Sequence, residues 1–197
     1  MNGTAKRTAG RPRDETADRA IVAATQRQLA DVGFAQMSIE SVAAEAGVTR
    51  PTVYRRWKTK EDLAIAAIAA LEIERPTPVD DDTWSAVKSE LVHFRKSLER
   101  PNGMSMVGMV LLEETRVPEL ATLFRSRLAE PRRKRLIDLF REGIKRGEIR
   151  ADADISAAVN AAIGSFYGHY IATGKVPKGW EKDTIALLRR AMEPSSR

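Results

Sequence analysis

The segment MSIESVAAEAGVTRPTVYRRWKTK, from Met37 to Lys60, leaves a chain few ways to fold. Gly47 divides it. Upstream, Ser38 is a side-chain cap for a short helix running to Glu45, with Ile39, Val42, Ala43 and Ala46 on one face. Downstream, Thr49 is placed to cap a second helix that carries Pro51 in its first turn, where proline's missing N–H is no loss. Val53 and Trp57 are four residues apart and point together into a core. That leaves Arg50, Thr52, Tyr54, Arg55 and Arg56 over the remaining surface. Two short helices broken by a glycine-containing turn of this length form a helix-turn-helix, whose second helix enters the DNA major groove.

The flanks extend this unit. Residues 14 to 32 predict a preceding helix, with Ile21, Ala24, Leu29 and Val32 at three- and four-residue steps and Gly33 as its stop. Phe34 and Met37 follow as apolar plugs. A further helix starts after Thr59, with Thr59 and Asp62 as a capping-box-like pair, and runs through Leu63, Ile65, Ile68 and Leu71. Residues 1 to 13 carry Lys6, Arg7, Arg11 and Arg13 without an acid and have too little apolar surface to fold alone. Such a segment is either a solubilising tail or a basic arm laid along phosphates or into an A·T-rich minor groove. Its place ahead of a helix-turn-helix favours the arm, with Arg11 in Gly10-Arg11-Pro12 as the minor-groove candidate.

The stretch Arg75-Pro-Thr-Pro-Val79, followed by Asp80 to Asp82, is the best domain boundary. The expected division is an arm over 1–13, a DNA-binding domain with its linking helix over 14–75, and a second domain over 80–197. From Thr83 onward the pattern stays helical. Trp84, Val87, Leu91, Phe94 and Leu98 mark one helix, and Met104 to Glu114 another. A longer segment opens at Pro118, with Pro131 expected to kink or divide it, and continues to Gly147. Asp154 to Ala172 is rich in alanine, and Trp180 to Met192 is the last helix. The fold class is all-α: an N-terminal three-helix domain with a helix-turn-helix, joined by a fourth helix to a C-terminal helical bundle.

Composition narrows the function further. A net charge of +6 suits a polyanionic partner, although its location matters more than the total. With no cysteine, disulfides and thiolate metal sites are excluded, and His93 and His169 show no ligand spacing, so no metal and no cofactor are expected. The N-terminus lacks a signal-peptide apolar core and no apolar run reaches the ~20 residues of a membrane span, so a cytoplasmic location is expected. No catalytic triad, metal cluster or phosphate-cradling glycine loop is present; Glu113 and Glu114 read as a solvated helix end, and an enzyme is not expected. The run Arg132-Arg-Lys-Arg135 reads as a solvated helix surface ion-paired to Glu130, Asp138 and Glu142.

The glycine-phenylalanine pair at 33–34, SIESVAAEAGV at 38–48 and PTVYRRWKTKEDL at 51–63 together resemble the TetR family of transcriptional regulators. Thr52, Tyr54, Trp57 and Lys60 stand where that family uses Thr, Tyr, an aromatic and Lys. Motif-level similarity covers about the first 70 residues. The segment from Glu113 to Glu148 more loosely resembles a C-terminal domain type of the same family.

The resemblance implies DNA contacts from Arg11, Ser38, Thr49, Arg50, Pro51, Thr52, Tyr54, Arg55 and Lys60. The chemistry of these residues suits the role. Arg50 and Arg55 can donate in pairs to guanine, Thr52 and Tyr54 can reach phosphates, and Pro51 or the Tyr54 ring can meet a thymine methyl. Lys60 and Ser38, each at a helix start, suit phosphates. Arg56 is open between phosphate binding and solvation. The resemblance further implies a homodimer formed through residues 154–172 and 180–192, where Ala157, Ala158, Ala161, Ala162, Gly164, Ser165 and Gly168 permit close helix approach. It also implies a hydrophobic small-molecule effector in the C-terminal domain, with Phe94, Met104, Met106, Met109, Phe124, Phe140, Phe166, Tyr167 and Tyr170 as candidate walls. The expected function is a repressor released by that effector from a palindromic operator. The alternative is a non-specific or architectural DNA-binding protein without an effector.

Overall fold

The computed structural model describes residues 15–71 and 82–194. The expected basic arm with Arg11, and the proline-bearing joint, lie outside the described residues. Eleven α-helices follow one another, with no strand among the described residues: α1 (Glu15–Asp31), α2 (Gly33–Gln36), α3 (Ile39–Glu45), α4 (Arg50–Tyr54), α5 (Lys60–Ala69), α6 (Thr83–Glu99), α7 (Gly103–Leu112), α8 (Pro118–Phe124), α9 (Glu130–Lys145), α10 (Ile155–Thr173) and α11 (Trp180–Met192). The molecule is all-α, with an N-terminal helix-turn-helix head and a C-terminal helical body.

The caps show why the head's helices start where they do. Ser38 Oγ accepts the Ser41 N–H at 3.0 Å while the Ser38 N–H reaches Ser41 Oγ at 3.2 Å, a closed capping box on α3. Thr59 and Asp62 do the same for α5, at 3.0 and 3.2 Å. Thr49 departs from expectation. Its side chain makes no cap bond to α4, and its Oγ1 instead lies 2.9 Å from Thr52 Oγ1. Pro51, with its φ already helical and no N–H to satisfy, starts that helix without help. Gly47 has φ of +66°, the left-handed conformation that lets the chain reverse between α3 and α4.

Pro118 opens α8 and leaves Pro131 to be absorbed within the long helical segment. No break occurs there. A π-helical turn over Arg125–Ala129 precedes it, and the Glu130 N–H bonds to Arg125 O, five residues back. Widening the turn takes up the register that a proline ring and its missing N–H would otherwise disrupt.

Two apolar cores form, and they do not divide at the proline-bearing joint. The first takes Ile21, Leu29, Phe34, Val42, Val53, Leu63 and Ile68 from the head, together with Met106, Met109 and Val110 of α7 and Leu120 and Ala121 of α8. The second gathers Trp84, Leu91, Phe94, Leu136, Phe140, Phe166, Trp180 and Leu188 from α6, α9, α10 and α11. Helix α7, part of the C-terminal body by sequence, thus packs one face into the head's core and sets Met104 and Val107 against the second. Gln26 Nε2 adds a polar tie, donating to Ala67 O at 2.9 Å and pinning α1 to α5. In the second core, Phe94 meets Phe166 edge-on at 5.3 Å and Phe166 meets Trp180 at 5.2 Å. The Trp180 indole N–H is satisfied by Ser165 Oγ at 2.9 Å. Where α6 meets α9, a Cβ on Gly143 would sit 2.7 Å from Ile149 Cδ1 and 2.8 Å from the Thr83 methyl, so a larger residue there forces one of these side chains to move.

Candidate nucleic-acid interface and ligand cavity

The recognition helix α4 buries one residue completely, Val53, and packs Tyr54 partly against the same core, joined by Trp57 just beyond its end. That anchorage turns Thr49, Arg50, Pro51 and Arg55 outward, with Thr52 half-buried between them. Arg50 stands over the Tyr54 ring, 5.3 Å from its centroid, and pairs with Glu40 of α3 at 2.6 Å. The Tyr54 hydroxyl and the Glu40 carboxylate hold its guanidinium above the usual arginine range. Both partners of the Arg50–Glu40 pair are more than half exposed, so the pair is weak and readily exchanged for a nucleic-acid acceptor. Arg55 has no ion-pair partner among the described residues.

Arg56 takes neither role open to it. Its Nε pairs with Asp18 of α1 and its Nη1 donates to Thr52 O at 3.0 Å, and only 8% of its side chain is exposed. It fastens the end of α4 to α1. Lys60 lies 4.4 Å from the Phe34 ring and donates to Ala35 O at 3.1 Å. The N-terminus of α5 beside it already holds the carboxylate of Asp62, and the Ser38 hydroxyl is committed to its own cap. Beneath the turn, Glu45 binds Arg27 at 2.5 Å and Gln28 at 3.0 Å, which holds its carboxyl below the usual range. These two bonds moor α3 to α1.

In the body, α6, α7, α8, α9 and α10 border a cavity of about 510 Å³ that opens to the surface past Leu111 and Ile171. Phe94, Met104, Phe124, Tyr167 and Tyr170 are on its wall as expected from sequence. Four candidate wall residues are elsewhere. Met109, like Met106, faces the first core, Phe140 is buried against Trp84 at 6.2 Å, and Phe166 is buried between Phe94 and Trp180. Each lies on the helix face turned away from the cavity. Sequence reading missed Val107, Gly108, Leu111, Ala129, Arg132, Arg133, Ile163 and Ile171, which complete the lining.

Arg132 is the largest departure. It was expected in solvent, yet its Cζ stacks 4.8 Å over the Phe94 ring, its Nη2 donates to Ser97 Oγ at 3.2 Å, and its Nε is sealed from solvent without a partner. The rest of the run matches a solvated, paired surface better: Lys134 binds Asp138 at 2.6 Å and Arg135 binds Glu90 at 2.9 Å. Glu113 also departs from the solvated reading, at 3% exposure, whereas half-buried Glu114 pairs with Arg125. Burial pushes the Tyr167 phenol up, partly opposed by the charge of Arg132. Among the described residues no group of three or more His, Asp or Glu could hold a metal, and no helix is long and apolar enough to cross a membrane.

Residues 77–191 match the family described as "Tetracyclin repressor-like, C-terminal domain", and residues 21–67 match "Bacterial regulatory proteins, tetR family". The chain belongs to the TetR family. Among its relatives, the helix-turn-helix-type transcriptional regulator YdeS of Bacillus subtilis is 28% identical over 195 residues, covering 95% of each chain. A DNA-binding transcriptional repressor, TetR of Mycobacteroides abscessus, is 27% identical over 146 residues, covering 72% of this chain and 75% of its own. TylP, a TetR regulator from Streptomyces fradiae, has the same fold: its structure superposes with a TM-score of 0.67 at 21% identity, over 93% of this chain and 89% of its own. This TetR-family protein is thus a helix-turn-helix DNA-binding transcriptional regulator and not an enzyme.

Proposed function

We propose that this protein is a homodimeric repressor that leaves a palindromic operator when an apolar small molecule occupies the cavity of its C-terminal body. The observation that carries the reading is the division of α7 between two environments. Met106, Met109 and Val110 are packed into the head's core, while Met104, Val107, Gly108 and Leu111 on the same helix line the cavity. A molecule that displaces α7 displaces the head with it. Reversing occupancy from ~99:1 to 1:99 requires about 10⁴-fold preference for the released conformer, so tight binding alone is insufficient. The M. abscessus relative is a repressor, which supports the sign of regulation.

Sequence readout rests on Arg50 and Arg55 as base-edge donors, with Thr49, Pro51, Thr52 and Tyr54 around them, Ser38 and Lys60 towards the backbone, and Arg11 of the arm for the minor groove. Reaching guanine requires Arg50 to leave Glu40. The dimer pairs α10 and α11 with their copies. Ala157, Ala161, Gly164 and Gly168 are exposed on α10, joined by Ile171 at 82% and Leu187 of α11 at 58% exposure. Of the small residues expected there, Ala158 and Ala162 are instead buried in their own subunit. Two recognition helices about one DNA turn apart, ~34 Å, read a palindrome.

The test is selection from a random DNA pool at near-physiological salt, with intact protein and the Arg50→Ala/Tyr54→Ala variant in parallel. A palindromic motif lost or relaxed in the variant is the expected result. Recovery of no motif, with binding that only weakens as salt rises, would replace this reading with a non-specific binder.

A further inference from the structure

The cavity wall is apolar except at one side, where α9 presents two adjacent cations and no acid. Arg132 and Arg133 both line it, and no Asp or Glu is among its lining residues. Their hydrogen-bond partners among the described residues are neutral: Ser97 Oγ for Arg132, and Asn160 Oδ1 at 2.7 Å for Arg133. Glu90, whose charge also reaches Arg132, is ion-paired with Arg135 at 2.9 Å and makes no hydrogen bond to Arg132. Arg132 is thus a permanently charged group, stacked on a buried ring, with its Nε cut off from water and from any acceptor. Arg132 is half-buried, with only its Nε sealed, and a partly desolvated charge without an ion pair of its own gains from a counter-ion. Here the available place for a counter-ion is the cavity. Tyr167, whose phenol burial keeps protonated, lies on the same wall as a further donor.

We propose that the cavity selects an amphipathic anion: an apolar body of rings or chain seated among Phe94, Met104, Phe124 and Ile163, bearing one carboxylate-type group that pairs with Arg132. This rests on the reading of the cavity as the effector site and adds the chemical class of the effector. A neutral molecule of the same shape fills the same apolar space but leaves the Arg132 charge uncompensated, so it binds more weakly. The ring of Phe94 below the guanidinium fixes its plane, and the anion approaches along that plane rather than from above it.

The test compares two fluorescent probes of nearly the same skeleton, anilinonaphthalene sulfonate and its uncharged parent phenylnaphthylamine, titrated into the full-length protein. The sulfonate stands in for the carboxylate-type group. Wild type binds the anion more tightly, and Arg132→Met lowers its affinity by about ten- to a hundredfold while leaving the neutral probe within about threefold. Arg132→Gln, which keeps a hydrogen-bonding group but no charge, gives the same selective loss and serves if the methionine variant folds poorly. Lys134→Met, on the same helix but paired with Asp138 and outside the cavity, leaves both affinities unchanged. Gly108→Trp plugs the cavity from α7 and abolishes both signals. If wild type binds the two probes equally, or Arg132 variants keep the preference, the anion inference fails and the cavity stands as an apolar site. Failure of both probes to bind, or binding of both to Gly108→Trp, removes the cavity reading itself.

Discussion

Arg50, on the short helix α4, and Arg56, in the turn just after it, have opposite errands. Arg50 is exposed and held by a replaceable acid, whereas Arg56 is withdrawn into an ion pair with Asp18 on another helix. Arg56→Ala is expected to lower stability by about 1–3 kcal/mol, read from denaturant unfolding. It should also weaken operator binding without changing the preferred sequence, because it positions the recognition helix and reads no base. A changed motif in the selection experiment would place Arg56 at the DNA instead. Arg50→Ala reverses this pattern, with stability nearly unchanged and sequence preference relaxed. The Arg56–Asp18 pair was not legible in the sequence, since its partners are 38 residues apart and each alone suits a solvated surface. Arg132 was hidden for the same reason: a basic run carries no sign that Phe94 will offer one of its members a ring face.

Helices were more legible than the contacts between them. Ser38, Thr59 and Pro118 mark three starts through local hydrogen bonding or fixed φ, and such signals need no knowledge of the fold. Helix α7 shows where that legibility stops. Its sequence GMSMVGMVLL is apolar nearly all round, so no polar stripe indicates which side faces a core and which a cavity. Met109 and Met104 look alike in sequence and belong to different environments. The start of α6 offers a pH-dependent test. Asp82 accepts from the Trp84 and Ser85 N–H groups at 2.9 and 3.1 Å, and its bond from the Ser85 hydroxyl leads in depressing its pKa. A depressed carboxyl contributes stability at pH above its ordinary value of 3.8, and loses it as pH falls through the lowered native value. Asp82→Ala is therefore expected to cost about 1 kcal/mol near neutrality, with the difference from wild type shrinking in acid melts below that range. A constant difference across the titration would show that the charge takes no part in the cap.

For the whole molecule, the exposed glycines of α10 give a clean test of assembly. A Cβ added at Gly164 meets nothing within 4 Å in the single chain, so Gly164→Arg is accommodated by the monomer and opposed only by a partner helix. Sedimentation should show a dimer for wild type and a monomer for this variant, with operator affinity falling accordingly. An unchanged dimer would move the interface elsewhere. The core shared by the head with α7 and α8 also bears on how regulators of this build can be recombined. A hybrid made by exchanging heads at residue 76 cuts no apolar core along the chain, yet it separates Ile21, Leu63 and Ile68 from the Met106, Met109 and Leu120 that complete them. Such a hybrid is expected to melt in two broad steps or to aggregate, and a joint after Leu128 only moves the damage, sparing the first core but parting Trp84, Leu91 and Phe94 from Phe140, Phe166 and Trp180. Inheritance in this protein is therefore not modular at the joint that looks most like a seam: the reader of DNA and the sensor behind it are passed on together.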